Sequence, residues 1–171
     1  VSANIPQEAA IRGFHSTAMR LEDAGAMQEL LRFMNYEKLD EQGDTIRLAV
    51  NNGNGAHVLD LELLPSAAQA NQGAGSVHHI AFSVEDRNAQ VRVRDALIDT
   101  GYSVTPVIDR DYFWAIYFRT PGGILFEVAT NEPGFDRDEA KDALGTGLKL
   151  PTQHEHLRAE LEKHLDPIKD A

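Results

Sequence analysis

Apolar residues alternate with polar or small residues over several short stretches of the chain, and this period of two predicts β-strands. We predict strands at residues 11–21, 36–41, 45–50 and 57–63, around 76–84, and at 102–108, 111–119 and 123–130. Two further stretches place apolar residues at helical spacing, one after Asp23 and one after Asp86. Each aspartate is suited to cap the start of a helix, so we predict one helix after each of them.

The predicted elements occur in the same order twice. A shift of 63 residues places Phe14-His15-Ser16 on Val77-His78-His79, and Glu22-Asp23 on Glu85-Asp86. The predicted fold class is therefore α+β, with two tandem βαβββ modules and a C-terminal helical tail. The predicted segments are a lead-in at 1–10, a first module at 11–63, a linker at 64–75, a second module at 76–131 and the tail at 132–171. In the tail we predict helices at 136–144 and 151–165.

Composition narrows the possible partners. The net charge of −11 disfavours nucleic acid and anionic membranes. The chain contains no cysteine, which excludes disulfides and thiolate ligands, so a metal ion would need His, Asp or Glu. No apolar run approaches 18 residues, and we expect a cytoplasmic protein with no membrane partner.

Candidate chemistry lies on one face of the second module. Neighbouring strand residues point to opposite faces. By this rule one face of the three strands is apolar, while the other combines small residues with His79, Tyr117, Arg119 and Glu127. Imidazole and carboxylate suit Fe(II) or Mn(II), so we expect His79 and Glu127 to bind one metal ion. The alternative is that both are ordinary sheet residues.

Three neighbours of this pair are candidates for roles in catalysis or binding. Tyr117 could donate a hydrogen bond or a proton to a substrate oxygen, or be a half-buried strand tyrosine. Arg110 could hold an anionic substrate, or pair with Asp109 or Asp111. His78 shares the apolar face by parity, where a hydrogen-bonded structural histidine is as good an interpretation as a functional one.

The strings VHHIAF, IDRDYFWAIYFRTPGGILFEVATNEPGF and LPTQHEHLRAELEKHL resemble the vicinal-oxygen-chelate superfamily. Within it, the chain is similar to hydroquinone-type ring-cleaving dioxygenases. The resemblance implies an oxidoreductase that takes O2 and a small aromatic substrate, with Fe(II) or Mn(II) as cofactor. It implies that His79 and Glu127 are metal ligands, that His78 and Tyr117 are catalytic, and that Arg110 binds substrate.

The resemblance also implies that one ligand is absent from this chain. Intact members carry four modules, and their second histidine ligand comes from the first of them. This chain resembles the third and fourth modules, with Ser16 at the position that matches His79. Alone, it is expected to be incomplete and inactive, unless Asp60, Glu62 or a partner chain supplies the ligand. We expect a homodimer.

Two other functions remain open for this fold. One is a glyoxalase-type isomerase or lyase with Zn or Ni, which needs a fuller ligand set than the one found here. The other is a metal-free protein that binds a small molecule. Metal content separates this last function from the two enzymes, and substrate-dependent uptake of O2 separates dioxygenase from isomerase.

Overall fold

The first unit of the structure is a four-stranded sheet with one helix. In this computed structural model the described residues are 5–11, 13–51, 57–66 and 72–166, and they divide into two compact units. The first unit contains β1 (Ser16–Leu21), α1 (Gly25–Phe33), β2 (Tyr36–Gln42), β3 (Thr45–Val50) and β4 (Val58–Leu63). Its strand order is β1-β4-β3-β2, with β1 parallel to β4 and the other neighbours antiparallel.

The second unit repeats this topology. It contains β5 (Ile80–Val84), α2 (Arg87–Asp99), β6 (Ile108–Asp109), β7 (Phe113–Arg119) and β8 (Leu125–Pro133). The order is β5-β8-β7-β6, and again only the first and last strands run parallel. A short helix, α3 (Arg158–His164), lies in the tail. The prediction of two tandem βαβββ modules with a helical tail is confirmed.

Each helix begins near its predicted aspartate and covers an apolar surface. The carboxylate of Asp86 accepts a hydrogen bond from the Ala89 N–H at 2.7 Å, as an N-cap does. Asp23 lies just before the cap position of α1 and accepts from the Gly25 N–H at 2.9 Å. Residues on α1, on α2 and on the apolar faces of the sheets form the two cores. Their fully buried side chains include Met27, Leu31, Leu48, Leu61, Leu97, Ile116, Phe126 and Val128.

Several predicted boundaries were wrong. The first strand begins at Ser16 rather than residue 11. Residues 102–108 form no continuous strand: Val104 makes one bridge to Phe118, and β6 is only two residues long. Pro106 has no N–H to donate, which breaks the ladder between those two points.

The tail also differs from the prediction. The helix predicted at 136–144 is replaced by two single 3-10 turns, Phe135–Arg137 and Lys141–Ala143. Neither turn contains a buried residue, so no apolar packing stabilises a longer helix there. The helix predicted at 151–165 begins as 3-10, at Thr152–Leu157, and becomes α-helical only from Arg158.

The predicted lead-in and linker lie partly outside the described residues, since 1–4 and 67–71 are not among them. Within the described part of the chain, no helix has the length and apolar character needed to cross a membrane.

Candidate metal site

Register brings three polar side chains of the second unit to one face of its sheet. Tyr117 on β7 lies directly opposite Glu127 on β8, and Ala81 on β5 lies beside Glu127 on the other side. His79 lies just before β5, and its Nε2 comes within 2.6 Å of Glu127 Oε2, which places its ring on the same face. Residues separated by up to 48 positions in the chain thus meet around a single carboxylate.

The Glu127 carboxylate is the centre of the group. The residue is only 3% exposed, which would be unfavourable for an isolated charge. Both of its oxygens have partners: Oε1 accepts a hydrogen bond from the Tyr117 hydroxyl at 2.7 Å, and Oε2 lies 2.6 Å from His79 Nε2. The His79 side chain is one-third exposed, so the carboxylate is buried while the imidazole opens toward solvent.

His78 lies beside His79 rather than against the apolar core. Its Nδ1 is 2.8 Å from His79 Nδ1, and the two rings meet edge to face with centroids 5.1 Å apart. Strand parity does not apply here because β5 begins only at Ile80. A contact between two ring nitrogens requires one to carry the proton and the other to accept it. One imidazole is therefore the donor and the other the acceptor at this contact.

Arg110 contacts the phenol of Tyr117. Its Nη2 lies 3.4 Å from the Tyr117 hydroxyl oxygen, and its guanidinium carbon lies 5.6 Å from the ring centroid. Burial, followed by the hydrogen bond to Glu127, raises the pKa of Tyr117 above its usual range, with Arg110 acting in the opposite direction. The phenol is therefore protonated at neutral pH and available as a hydrogen-bond donor.

The turn that carries Arg110 is held by the tail, a feature that sequence reasoning missed. Asp111 has a left-handed backbone with φ of 70°, and its carboxylate accepts hydrogen bonds from the Thr152 N–H and hydroxyl, both at 3.0 Å. Arg137 Nη1 lies 2.8 Å from the same carboxylate. Burial opposes ionisation, but these hydrogen bonds and the Arg137 charge leave the pKa of Asp111 below its usual value. Asp111 thus pairs with the tail and not with Arg110.

The face offers two adjacent donors for a metal ion. His79 Nε2 and Glu127 Oε2 are a nitrogen and an oxygen of the kinds that Fe(II) and Mn(II) accept, and the pair fits part of such a site. Over residues 5–11, 13–51, 57–66 and 72–166, no group of three His, Cys, Asp or Glu side chains is placed to hold one ion. Asp60 and Glu62, the third ligands considered from sequence, are paired with Arg47 and Arg20.

Comparison with known proteins places this arrangement in a family context. The profile of the Glyoxalase/Bleomycin resistance protein/Dioxygenase superfamily matches residues 36–128, which is more than half of the chain. A Bacillus subtilis protein named "Putative ring-cleaving dioxygenase MhqO" is 39% identical over 96% of this chain and 52% of its own length. The "Chlorohydroquinone/hydroquinone 1,2-dioxygenase" of Sphingobium indicum is 36% identical over 98% of this chain and 53% of its own.

Solved structures agree with these matches. The crystal structure of a "putative dioxygenase" from Bacillus subtilis superposes with a TM-score of 0.89 at 39% identity, over 97% of this chain and 53% of that one. A glyoxalase/dioxygenase from Nostoc punctiforme, at 17% identity and a TM-score of 0.59, covers 70% of this chain and 90% of its own, and shows the fold alone. The chain spans about half the length of the curated relatives it matches.

Proposed function

Because the chain belongs to the Glyoxalase/Bleomycin resistance protein/Dioxygenase superfamily, we propose that it is part of a metal-dependent, ring-cleaving dioxygenase acting on hydroquinone-like aromatics. The observation that carries the proposal is the contact between His79 and Glu127 on a sheet face that also presents Tyr117. Relatives at 36–39% identity with dioxygenase names, two of which include the words ring-cleaving, support the reaction class.

His79 and Glu127 would hold the metal, which is Fe(II) or Mn(II) in this proposal. When bound between these residues, such an ion would supply open coordination positions for O2 and a phenolic oxygen and Lewis-acid assistance to ring opening. The third ligand would come from another module or from a second copy of the chain in a homodimer. With two ligands, this chain by itself is expected to bind metal weakly.

The surrounding side chains have distinct roles in the proposal. His78 orients the His79 ring through the contact between their Nδ1 atoms, so that Nε2 stays aimed at the carboxylate and the metal. Tyr117 donates a hydrogen bond from its hydroxyl and can move a proton to or from a substrate oxygen. Arg110, next to that hydroxyl, would attract an anionic substrate or the carboxylate of a ring-opened product.

Metal content tests the ligand assignment directly. We would measure Fe and Mn in protein purified without oxygen, comparing the wild type with His79→Ala and Glu127→Ala. The matched controls are His154→Ala, an exposed histidine in the tail, and Glu37→Ala, an exposed glutamate on β2. Because binding by two ligands is expected to be weak, the proteins are incubated with excess Fe(II) or Mn(II) before the measurement, and we expect metal uptake in the wild type and the controls and none in the two site variants.

Oxygen uptake then tests the reaction. Metal-loaded protein should consume O2 only when a hydroquinone is added, under conditions in which the third ligand is supplied. Absence of metal binding at His79 and Glu127 under all these conditions would indicate a metal-free binding protein. Metal binding without substrate-dependent O2 uptake would indicate an isomerase or lyase.

A further inference from the structure

The two sheets place a carboxylate at the same position. In the first sheet Ala18 on β1 lies beside Asp60 on β4, and in the second sheet Ala81 on β5 lies beside Glu127 on β8. Both pairs join the first and last strands of a module, which run parallel in both cases. Asp60 is therefore the structural counterpart of Glu127, and like Glu127 it is buried, at 8% exposure.

The neighbours of the two carboxylates correspond as well. Two residues before the alanine stands Ser16 in the first module and His79 in the second. Directly opposite the carboxylate on the antiparallel neighbour stands Arg47 in the first module and Tyr117 in the second. The first module thus carries Ser, Asp and Arg at the three positions where the second carries His, Glu and Tyr.

In the first module the carboxylate of Asp60 is paired with a cationic side chain of the same sheet, Arg47. Arg47 Nε lies 2.7 Å from Asp60 Oδ1, and Arg47 Nη2 lies 3.0 Å from Asp60 Oδ2, so the guanidinium occupies both carboxylate oxygens. The hydrogen bond from Arg47 outweighs burial and, with a weaker one from the Ser16 side chain, lowers the pKa of Asp60. Asp60 is an ionised, fully paired carboxylate in this arrangement.

We propose that Arg47 is a built-in cation that takes, in the first module, the place of the metal ion bound by His79 and Glu127 in the second. It thereby restricts metal binding to the second module. This inference rests on the proposed function, since it presupposes metal at His79 and Glu127.

The chemistry of the Arg47 guanidinium and of the Ser16 hydroxyl supports this role for Arg47. A guanidinium keeps its charge at every pH at which proteins fold, so no proton loss frees the Asp60 carboxylate. A metal ion would have to displace both hydrogen bonds and leave Arg47 beside a second cation. The Ser16 hydroxyl, which replaces the imidazole, is a poor ligand for the same ions. The first module therefore satisfies its buried carboxylate without a metal ion.

Paramagnetic broadening by Mn2+ alone locates metal on the intact chain without any need for activity. In wild-type protein labelled with 15N, we expect amide signals around His79 and Glu127 to weaken most strongly and at the lowest Mn2+ concentration, with no second centre of loss around Ser16 and Asp60. The test variant combines Ser16→His, Arg47→Tyr and Asp60→Glu. It should lose signals around positions 16 and 60 in addition. Arg20→Gln, which breaks another arginine–carboxylate pair of the same sheet, is the matched control and should match the wild type.

The possible outcomes distinguish failure of the proposed role of Arg47 from failure of the proposed function. Wild-type broadening around Asp60 as strong as that around Glu127 would overturn the role of Arg47 and leave the proposed function intact. Absence of broadening at both places would overturn the ligand pair and this inference with it. A folded triple variant that gains no broadening in the first module would also overturn the proposed role of Arg47. If the triple variant fails to fold, Ser16→His with Arg47→Tyr, which keeps Asp60, is subject to the same criterion.

Discussion

Gln90 is a buried polar side chain that braces the strands carrying the site. It lies on α2 with no exposed surface, and its Nε2 donates hydrogen bonds to the carbonyls of Trp114 on β7, at 2.7 Å, and Val128 on β8, at 2.8 Å. The ladder between β7 and β8 shifts register next to Trp114, so the glutamine amide takes over where strand pairing is interrupted. Its Oε1 is buried with no partner among the described groups.

Replacing Gln90 by leucine keeps the volume and removes both donors. Each carbonyl that loses its donor lowers the free energy of unfolding by about 1 kcal/mol, the low end of the range for an unpaired buried group, because a carbonyl can accept a hydrogen bond elsewhere. Removal of the unpartnered Oε1 recovers about 1 kcal/mol. We therefore expect Gln90→Leu to lower the free energy of unfolding by about 1 kcal/mol. Gln28→Leu, at a half-buried glutamine on α1, should change it by less than about 0.5 kcal/mol.

Gln90→Glu separates the donor from the shape. A carboxylate facing two carbonyl oxygens is disfavoured, so its pKa in the folded protein should rise above the unfolded value of about 4.3. Protonation restores one donor. A raised pKa means that this variant is most stable below the unfolded pKa and loses stability as pH rises through the folded one. Gln90→Leu should show no such additional dependence on pH.

Urea unfolding followed by tryptophan fluorescence measures the change in stability of both variants. Trp114 is the single tryptophan and lies on β7, so its signal reports the unit that contains Gln90. Far-ultraviolet circular dichroism reports the whole chain alongside it. A Gln90→Leu protein as stable as the wild type, or a Gln90→Glu protein whose deficit is constant between pH 4 and pH 8, would refute the reasoning about these hydrogen bonds.

Three further predictions concern the site and its counterpart. In metal-loaded protein with the third ligand supplied, Tyr117→Phe should still bind metal but should lower kcat far more than it raises KM, and equal changes in both would contradict a proton-transfer role for the hydroxyl. Asp111→Asn, which tolerates the left-handed backbone, should lower the melting midpoint less than Asp111→Ala; equal losses would show that backbone conformation is unimportant there. Asp60→Asn should cost about 1 kcal/mol at pH 7, through its weakened bond to Arg47. Because the pKa of Asp60 is lowered on folding, this deficit should shrink as pH falls below about 4, and a deficit that persists in urea titrations there would contradict the ion-pair explanation.

The order of elements and the faces of the strands were determined by the sequence itself. Alternation and helical spacing are local patterns, and the repeated Glu-Asp before each helix marks both modules. Parity along β7 and β8 was enough to place Tyr117 and Glu127 on one face, because side-chain direction in a regular strand depends only on position. The family resemblance rested on this stretch, on VHHIAF and on the tail string, and it agrees with the matching profile.

Only the tertiary structure determined where each strand ends and which side chains come into contact. His78 was expected on the apolar face, but β5 begins after it, and its ring turns to His79. Arg47 pairs with Asp60, which is 13 positions away in the chain. Asp111 accepts a hydrogen bond from Thr152 in the tail, which is 41 positions away. Such contacts depend on register and on the folded path of the chain. Local patterns constrain neither, because one carboxylate can be satisfied by a metal ion, a guanidinium or backbone N–H groups, and only the packed sheet selects among them.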